Sequence, residues 1–251
     1  MIPFVMSFIT FYTLFINLRF KIAKKSVKFS REDIFLGGSM KLFFLVIVMF
    51  GVSMNAFANE RYYARIYGGA SILGNQDISQ TGFKATGVTG EMMGSLGYRA
   101  GFSFGFNWNK NFSSELTFDY ITNSTKTTFT DGSNYKGDYS SRLHFLNTYY
   151  HFNSSSKFRP YVGVGLGFIE EIDIDLEDSS GEQSFSDDGE FGYQIIAGTD
   201  YKIKNNWDIN IELANIGFSG PNFKKEGGTS VIHDNEGYEV WNVNLGLKYS
   251  F

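Results

Sequence analysis

The segment Trp241 to Phe251 alternates without a break. Trp241, Val243, Leu245, Leu247, Tyr249 and Phe251 fall on one face. Asn242, Asn244, Gly246, Lys248 and Ser250 fall on the other. Tyr98 to Trp108 does the same, with Tyr98, Ala100, Phe102, Phe104, Phe106 and Trp108 set against Arg99, Gly101, Ser103, Gly105 and Asn107. Successive side chains of a strand point to opposite sides, so strict period two over about ten residues is a strand with one apolar and one polar face.

Eight such segments run through the chain, at roughly 61–72, 97–108, 112–122, 141–152, 158–169, 191–203, 207–216 and 239–251. Three connections are short and polar: Asn109 to Asn111, Asn153 to Lys157 and Lys204 to Asn206. The others, near 73–96, 123–140, 170–190 and 217–238, are long. An even strand count with alternating short and long turns predicts an all-β fold: an eight-stranded antiparallel up-and-down transmembrane β-barrel, with short turns inside and long loops outside. Strands of about 9–11 tilted residues suffice to cross the hydrocarbon.

Composition supports this reading. Aromatics make up 18% of the chain and charged residues only 19%, where about 25% charged is usual for a soluble domain. Trp108, Phe112, Phe152, Phe158, Tyr201, Trp207, Tyr249 and Phe251 lie beside the short turns or the carboxyl end, where they would form one interfacial ring. A looser set near the long loops holds Tyr120, Tyr193 and Trp241. The charges Arg65, Arg99, Glu115, Asp119, Arg142, Asp200, Lys202, Asp208, Glu212 and Lys248 are assigned to the lumen face. A soluble barrel or sandwich would invert these faces.

Two apolar runs precede the barrel. Met40-Lys41, the run Leu42 to Phe50, and Ala56-Phe57-Ala58 make a three-part secretory signal over residues 40–58, cleaved after Ala58. Residues 1–39 are read as an upstream mis-start, the alternative being a transmembrane leader. The barrel then occupies 59–251. Residues 1–58 carry 7 Lys and Arg against 2 Asp and Glu, so the net −4 hides an acidic barrel with 15 basic and 24 acidic groups. That balance argues against nucleic acid as a partner. The absence of Cys excludes disulfides, thiolate metal sites and thiol nucleophiles.

The strand Pro160-Tyr161-Val162-Gly163-Val164-Gly165-Leu166-Gly167-Phe168, the strand Leu146 to Phe152 before it, and the terminus Leu247-Lys248-Tyr249-Ser250-Phe251 resemble small eight-stranded outer-membrane proteins of the opacity-protein and OmpX/OmpA-barrel kind. The resemblance covers essentially all of 59–251. It implies that Leu247, Tyr249 and Phe251 form the signal read by the outer-membrane insertion machinery. It is specific for architecture and weak for activity, because fold does not fix function.

The lumen set pairs large groups (Tyr67, Arg99, Tyr149, Tyr161) with Gly101, Gly105, Gly163, Gly165 and Gly198. An eight-stranded barrel can be filled by side chains, so a plug of opposite charges is expected rather than a pore. From Glu170 to Glu190 the chain holds ten acids and no Lys or Arg. Such a cluster could attract hard cations, but it has no EF-hand spacing, and a solvated loop is the simpler reading. The alternation Ile172 to Leu176 suggests that the flanking strand continues above the membrane. His144 and His151 lie seven apart, on opposite faces, and cannot form one site. His233-Asp234 is an adjacent pair in the fourth loop, and His151-Phe152-Asn153-Ser154 lacks a His-x-Ser spacing. Gly163 to Gly167 sits within a strand, with no helix to receive phosphate. Asn123-Ser124-Thr125 matches a glycosylation acceptor but falls in a bacterial-type chain.

No catalytic, metal or cofactor site is therefore expected. The expected function is a surface protein of the bacterial outer membrane that presents four loops for adhesion or host contact. Its expected partners are lipid, lipopolysaccharide, the insertion machinery, and host surface or serum proteins. The alternatives are a structural barrel with no dedicated ligand, or a small porin.

Overall fold

The computed structural model describes residues 61–152 and 156–251. The signal segment, residues 1–39 and most of the connection Asn153–Lys157 lie outside the described residues. No described helix is long and apolar enough to cross a membrane, which says nothing of strands.

The described chain is all-β and antiparallel. Twelve strands are present where eight were expected: β1 (Tyr62–Leu73), β2 (Gln76–Thr81), β3 (Thr89–Asn107), β4 (Phe112–Phe129), β5 (Asn134–His151), β6 (Phe158–Asp178), β7 (Gly181–Asp187), β8 (Phe191–Lys204), β9 (Trp207–Phe218), β10 (Asn222–Lys225), β11 (Val231–Asp234) and β12 (Glu239–Ser250). The difference lies in the four long connections, which are largely strand. The continuation expected over Ile172 to Leu176 is present, since β6 runs on to Asp178, whereas the strands β2, β7, β10 and β11 fall where loops are expected.

Two rings share one wall. β1 pairs with both β12 and β3, which closes the ring β1–β12–β9–β8–β6–β5–β4–β3. Above it, β3 pairs with β2, β2 with β11, β11 with β10, β10 with β7 and β7 with β6. With the far halves of β3, β4, β5 and β6, these close a second ring. Closure leaves no unpaired edge in either ring. β6 runs for 21 residues, roughly 70 Å at about 3.3 Å per residue, about twice what a membrane crossing needs.

The lower ring carries its apolar face outward. Leu166 is 76% exposed and Leu245 60%, whereas Arg99 is 1% exposed, Glu212 1% and Asn242 0%. Trp241, Val243, Leu245 and Leu247 point out, and the Asn and Lys residues between them point in. This is the inversion expected of a barrel in lipid. In the upper ring the inward face is apolar. Along β9 the inward residues change from Asp208, Asn210 and Glu212 to Ala214, Ile216 and Phe218. Along β12 they change from Lys248, Asn244 and Asn242 to Val240.

Two further corrections concern faces. Arg142 lies on the outer wall, not in the lumen, because the odd-numbered residues Leu143, Phe145, Asn147 and Tyr149 are the buried ones on β5. A β-bulge opposite Arg142/Leu143 sets Glu171 across from Arg142, and the two form an ion pair outside. Lys202 shares the lumen phase of Asp200 but is exposed near the end of β8.

Candidate functional site

The lower lumen is filled by an ionic plug. Arg65 donates to Glu115 at 2.5 Å and to Glu212 at 2.7 Å. Tyr149 donates to Glu115 at 3.3 Å and Tyr161 to Glu212 at 3.1 Å. One level up, the Arg99 Nε and the Tyr67 hydroxyl both donate to Asp119 Oδ1 at 2.7 Å. The Tyr67 ring lies 4.4 Å from the Arg65 guanidinium and 5.3 Å from that of Arg99. At the turn end, Lys248 pairs with Asp200 and Arg159 donates to Asp208 at 2.6 Å. Buried charges persist only when paired and hydrogen-bonded. Here each of these cations has a carboxylate partner, which is the interlocking network expected from the mixed lumen signs.

Glycines make room for this plug. A Cβ at Gly163 would stand 2.6 Å from the Tyr149 ring, and one at Gly105 would enter the Tyr63 ring. Gly101 and Gly198 lie in the same way beneath Tyr67 and Tyr161. The cavity left among Tyr63, Arg65, Tyr149 and Lys248 is about 10 Å³. That is about one water's worth of room.

Above the plug the ring interior is one apolar cluster. It includes Leu73, Met92, Phe129, Tyr139, Phe145, Ile172, Phe185, Phe223, Ile232 and Tyr238. Phe83 and Val88, from the connection between β2 and β3, pack against it from the mouth. The four connections contribute much of this core: Ile78 from β2, Phe129 and Tyr135 from β4 and β5, Ile172, Ile174 and Leu176 from β6, Phe185 from β7, Phe223 from β10 and Ile232 from β11. The alternation from Ile172 to Leu176 was legible as a continuing strand, whereas the isolated apolar residues of β7, β10 and β11 are too few to announce one.

The sequence candidates separate in space. The acid-rich segment is a hairpin of β6 and β7, with its apolar alternates buried. Among the described residues no three His, Asp or Glu side chains converge as a metal shell would require. His233 bonds Asn222 Oδ1 at 2.6 Å through Nδ1, while the Asp234 carboxylate accepts from the amides of Glu236 and Gly237, both at 3.0 Å. The adjacent pair therefore does not act as a unit. Burial holds the Asp234 carboxyl above the usual range, against those two amide bonds.

His144 and His151 lie on opposite faces, as their spacing requires. His151 Nε2 meets Ser113 Oγ at 2.9 Å inside the lumen. Ser113 is fully buried and His151 half-buried. His144 sits on the outer wall between Phe118 and Phe168, with Nε2 2.9 Å from Glu170 Oε2. The glycines 163–167 lie within β6. Asn123 is buried, donating to the carbonyls of Ser71 and Ser95 at 3.0 and 2.9 Å.

A family model described as the outer membrane protein beta-barrel domain matches residues 44–251. The chain is 27% identical over 184 residues to outer membrane protein W of Escherichia coli (strain K12), covering 67% of this chain and 83% of that one. It is 30% identical over 106 residues to outer membrane protein W of Salmonella typhi, covering 41% of this chain and 50% of that one. Among solved structures, the outer membrane protein OprG from Pseudomonas aeruginosa aligns over 75% of this chain and 96% of its own, with a TM-score of 0.54 and 15% identity. That last likeness is one of fold.

Proposed function

The chain belongs to the outer-membrane β-barrel domain family and is a protein of the bacterial outer membrane; from that premise we propose that it is a non-catalytic surface protein whose upper ring makes contact with molecules outside the cell. In this reading the lower ring crosses the membrane as eight strands, after residues 40–58 have directed export and been removed. Leu247, Tyr249 and Phe251, at the end of β12, address the insertion machinery. The outward rings of the lower barrel meet lipid and lipopolysaccharide.

One observation carries the reading: the four long connections fold into a closed ring instead of trailing as loops. A closed ring holds its outer wall at fixed geometry, and binding residues gain from a rigid scaffold. The outer wall is polar, with Asp173, Asp175 and Glu177 alternating with the buried Ile172, Ile174 and Leu176. Asp173→Asn, Asp175→Asn and Glu177→Gln together leave the apolar phase intact and discharge that wall. Binding of cells or serum proteins should fall at least fivefold while the barrel still assembles. Unchanged binding would refute a role for this wall, and a wild type that binds nothing would leave the structural-barrel reading.

The small-porin reading finds no support in a plugged lumen. Planar-bilayer recordings should show no discrete conductance.

A further inference from the structure

One connection folds over the mouth of the upper ring. It is the strap between β2 and β3, suspended between Gly82 and Gly87, whose φ angles of 76° and 84° lie in the left-handed region. Ser230 Oγ donates to the Gly82 carbonyl at 2.9 Å, and the Gln80 side chain organises the rest. Gln80 Oε1 accepts from the amides of Phe83 and Lys84 at 3.0 and 2.8 Å, and its Nε2 donates to the carbonyls of Ala85 and Val88 at 3.1 and 3.2 Å.

The strap lays two adjacent side chains in a recess of the ring wall. The Phe83 ring lies 5.8 Å from both Phe129 and Tyr135, and 5.3 Å, edge-on, from Phe185 across the ring. The Lys84 ammonium lies 4.8 Å from the Tyr135 ring centroid and 5.6 Å from that of Phe129. It donates to the Tyr135 hydroxyl at 2.6 Å and pairs with Asp131 at 3.7 Å. Asp178, at the end of β6, lies within electrostatic range of it. The recess thus belongs to β4, β5, β6, β7 and the β4–β5 turn, and its contents belong to the strap.

Aromatic faces with nearby carboxylates attract an organic ammonium, and a partly desolvated cation gains most from them. The recess wall offers this combination beside the place that the Phe83 ring takes. We propose that it is a binding site for arylalkylammonium compounds, with Phe83 and Lys84 as its built-in occupant. An incoming ligand displaces the strap by turning at Gly82 and Gly87. The site does not depend on the surface-contact reading, since it faces the mouth rather than the outer wall.

The test is calorimetric titration of the full barrel in lipid nanodiscs with phenethylammonium, an aromatic ring two carbons from a cation. Lys84→Gln removes the internal ammonium, and the variant should bind the probe at least tenfold more tightly than the wild type. Neutral 2-phenylethanol should show no such gain. Asp131→Asn in the Lys84→Gln background should weaken the probe at least threefold. Phe83→Ala vacates the ring's place instead and should also gain over the wild type, by a smaller factor. Heat-modifiable gel mobility identifies folded samples. The proposal is overturned if neither single variant gains affinity, if the neutral alcohol gains equally, or if Asp131→Asn changes nothing.

Discussion

Arg65→Met removes the cation at the centre of the plug without removing much volume. In the wild type Arg65 reaches Glu115 at 2.5 Å and Glu212 at 2.7 Å, with all three side chains almost wholly buried. Breaking a buried pair costs about 3–5 kcal/mol, because the partner charge is stranded. Here two carboxylates are stranded, and they face each other across the lumen, so the upper half of that range is expected. Replacing all three groups, as Arg65→Met with Glu115→Gln and Glu212→Gln, removes the stranded charge. Replacing a buried ionic network by well-packed apolar residues is often neutral or stabilising by about 1–4 kcal/mol, and neutral amides likewise strand no charge. Tyr149 and Tyr161 can still donate to the new amide oxygens. The triple variant should therefore be more stable than the single one, although it carries more changes. Urea unfolding in lipid vesicles, followed by tryptophan fluorescence and gel mobility, measures both. A single variant within about 1 kcal/mol of the wild type, or a triple variant no better than the single, would refute the stranded-charge reasoning.

Three further outcomes follow from the geometry. Phe104→Arg and Leu245→Arg on the lipid face should each cost about 2–4 kcal/mol near the midplane, with loss of the heat-modifiable form from outer membranes. Gly105→Ala drives a methyl into the Tyr63 ring and should cost about 1–3 kcal/mol by overpacking; Tyr63→Ala in the same chain should recover part of the loss in urea unfolding. Asp234, whose carboxyl burial holds above its ordinary value, ionises in the unfolded chain first. Its contribution is therefore complete below the ordinary aspartate value of about 3.9 and is lost as pH rises through the raised folded value. Asp234→Asn keeps the acceptor for the Glu236 and Gly237 amides and should flatten that slope in pH-dependent unfolding.

Much of the plug was legible in the sequence. Arg65, Arg99, Glu115, Asp119, Glu212 and Lys248 occupy the polar phase of strict period-two segments, and a one-residue phase decides the face of every side chain in a strand. Arg142 does not share that phase: it lies seven residues from the inward Tyr149, and period two along β5 puts it outside. The bulge beside Leu143 and Ile169 lets Glu170 and Glu171 meet His144 and Arg142 outside. Phase counted along β5 gives the face of Arg142 but cannot show which acid of β6 it meets. The pairing of His151 with Ser113 was equally hidden, because it joins strands 38 residues apart.

The sequence by itself determined which face of the long strands meets lipid, that the lumen would be plugged rather than open, and that the connections alternate in length. These follow from local periodicity and side-chain volume, which need no partner to be read. Only the tertiary structure decided that the long connections close a second ring. β2, β7, β10 and β11 hold 4 to 7 residues each, too few for a periodic signal. They become strands because their neighbours supply hydrogen bonds, and because Phe185, Phe223 and Ile232 can be buried only when the ring closes around them. The recess under the strap is of the same kind: Phe83, Lys84, Tyr135 and Phe185 come from three connections and meet only at the mouth of that ring.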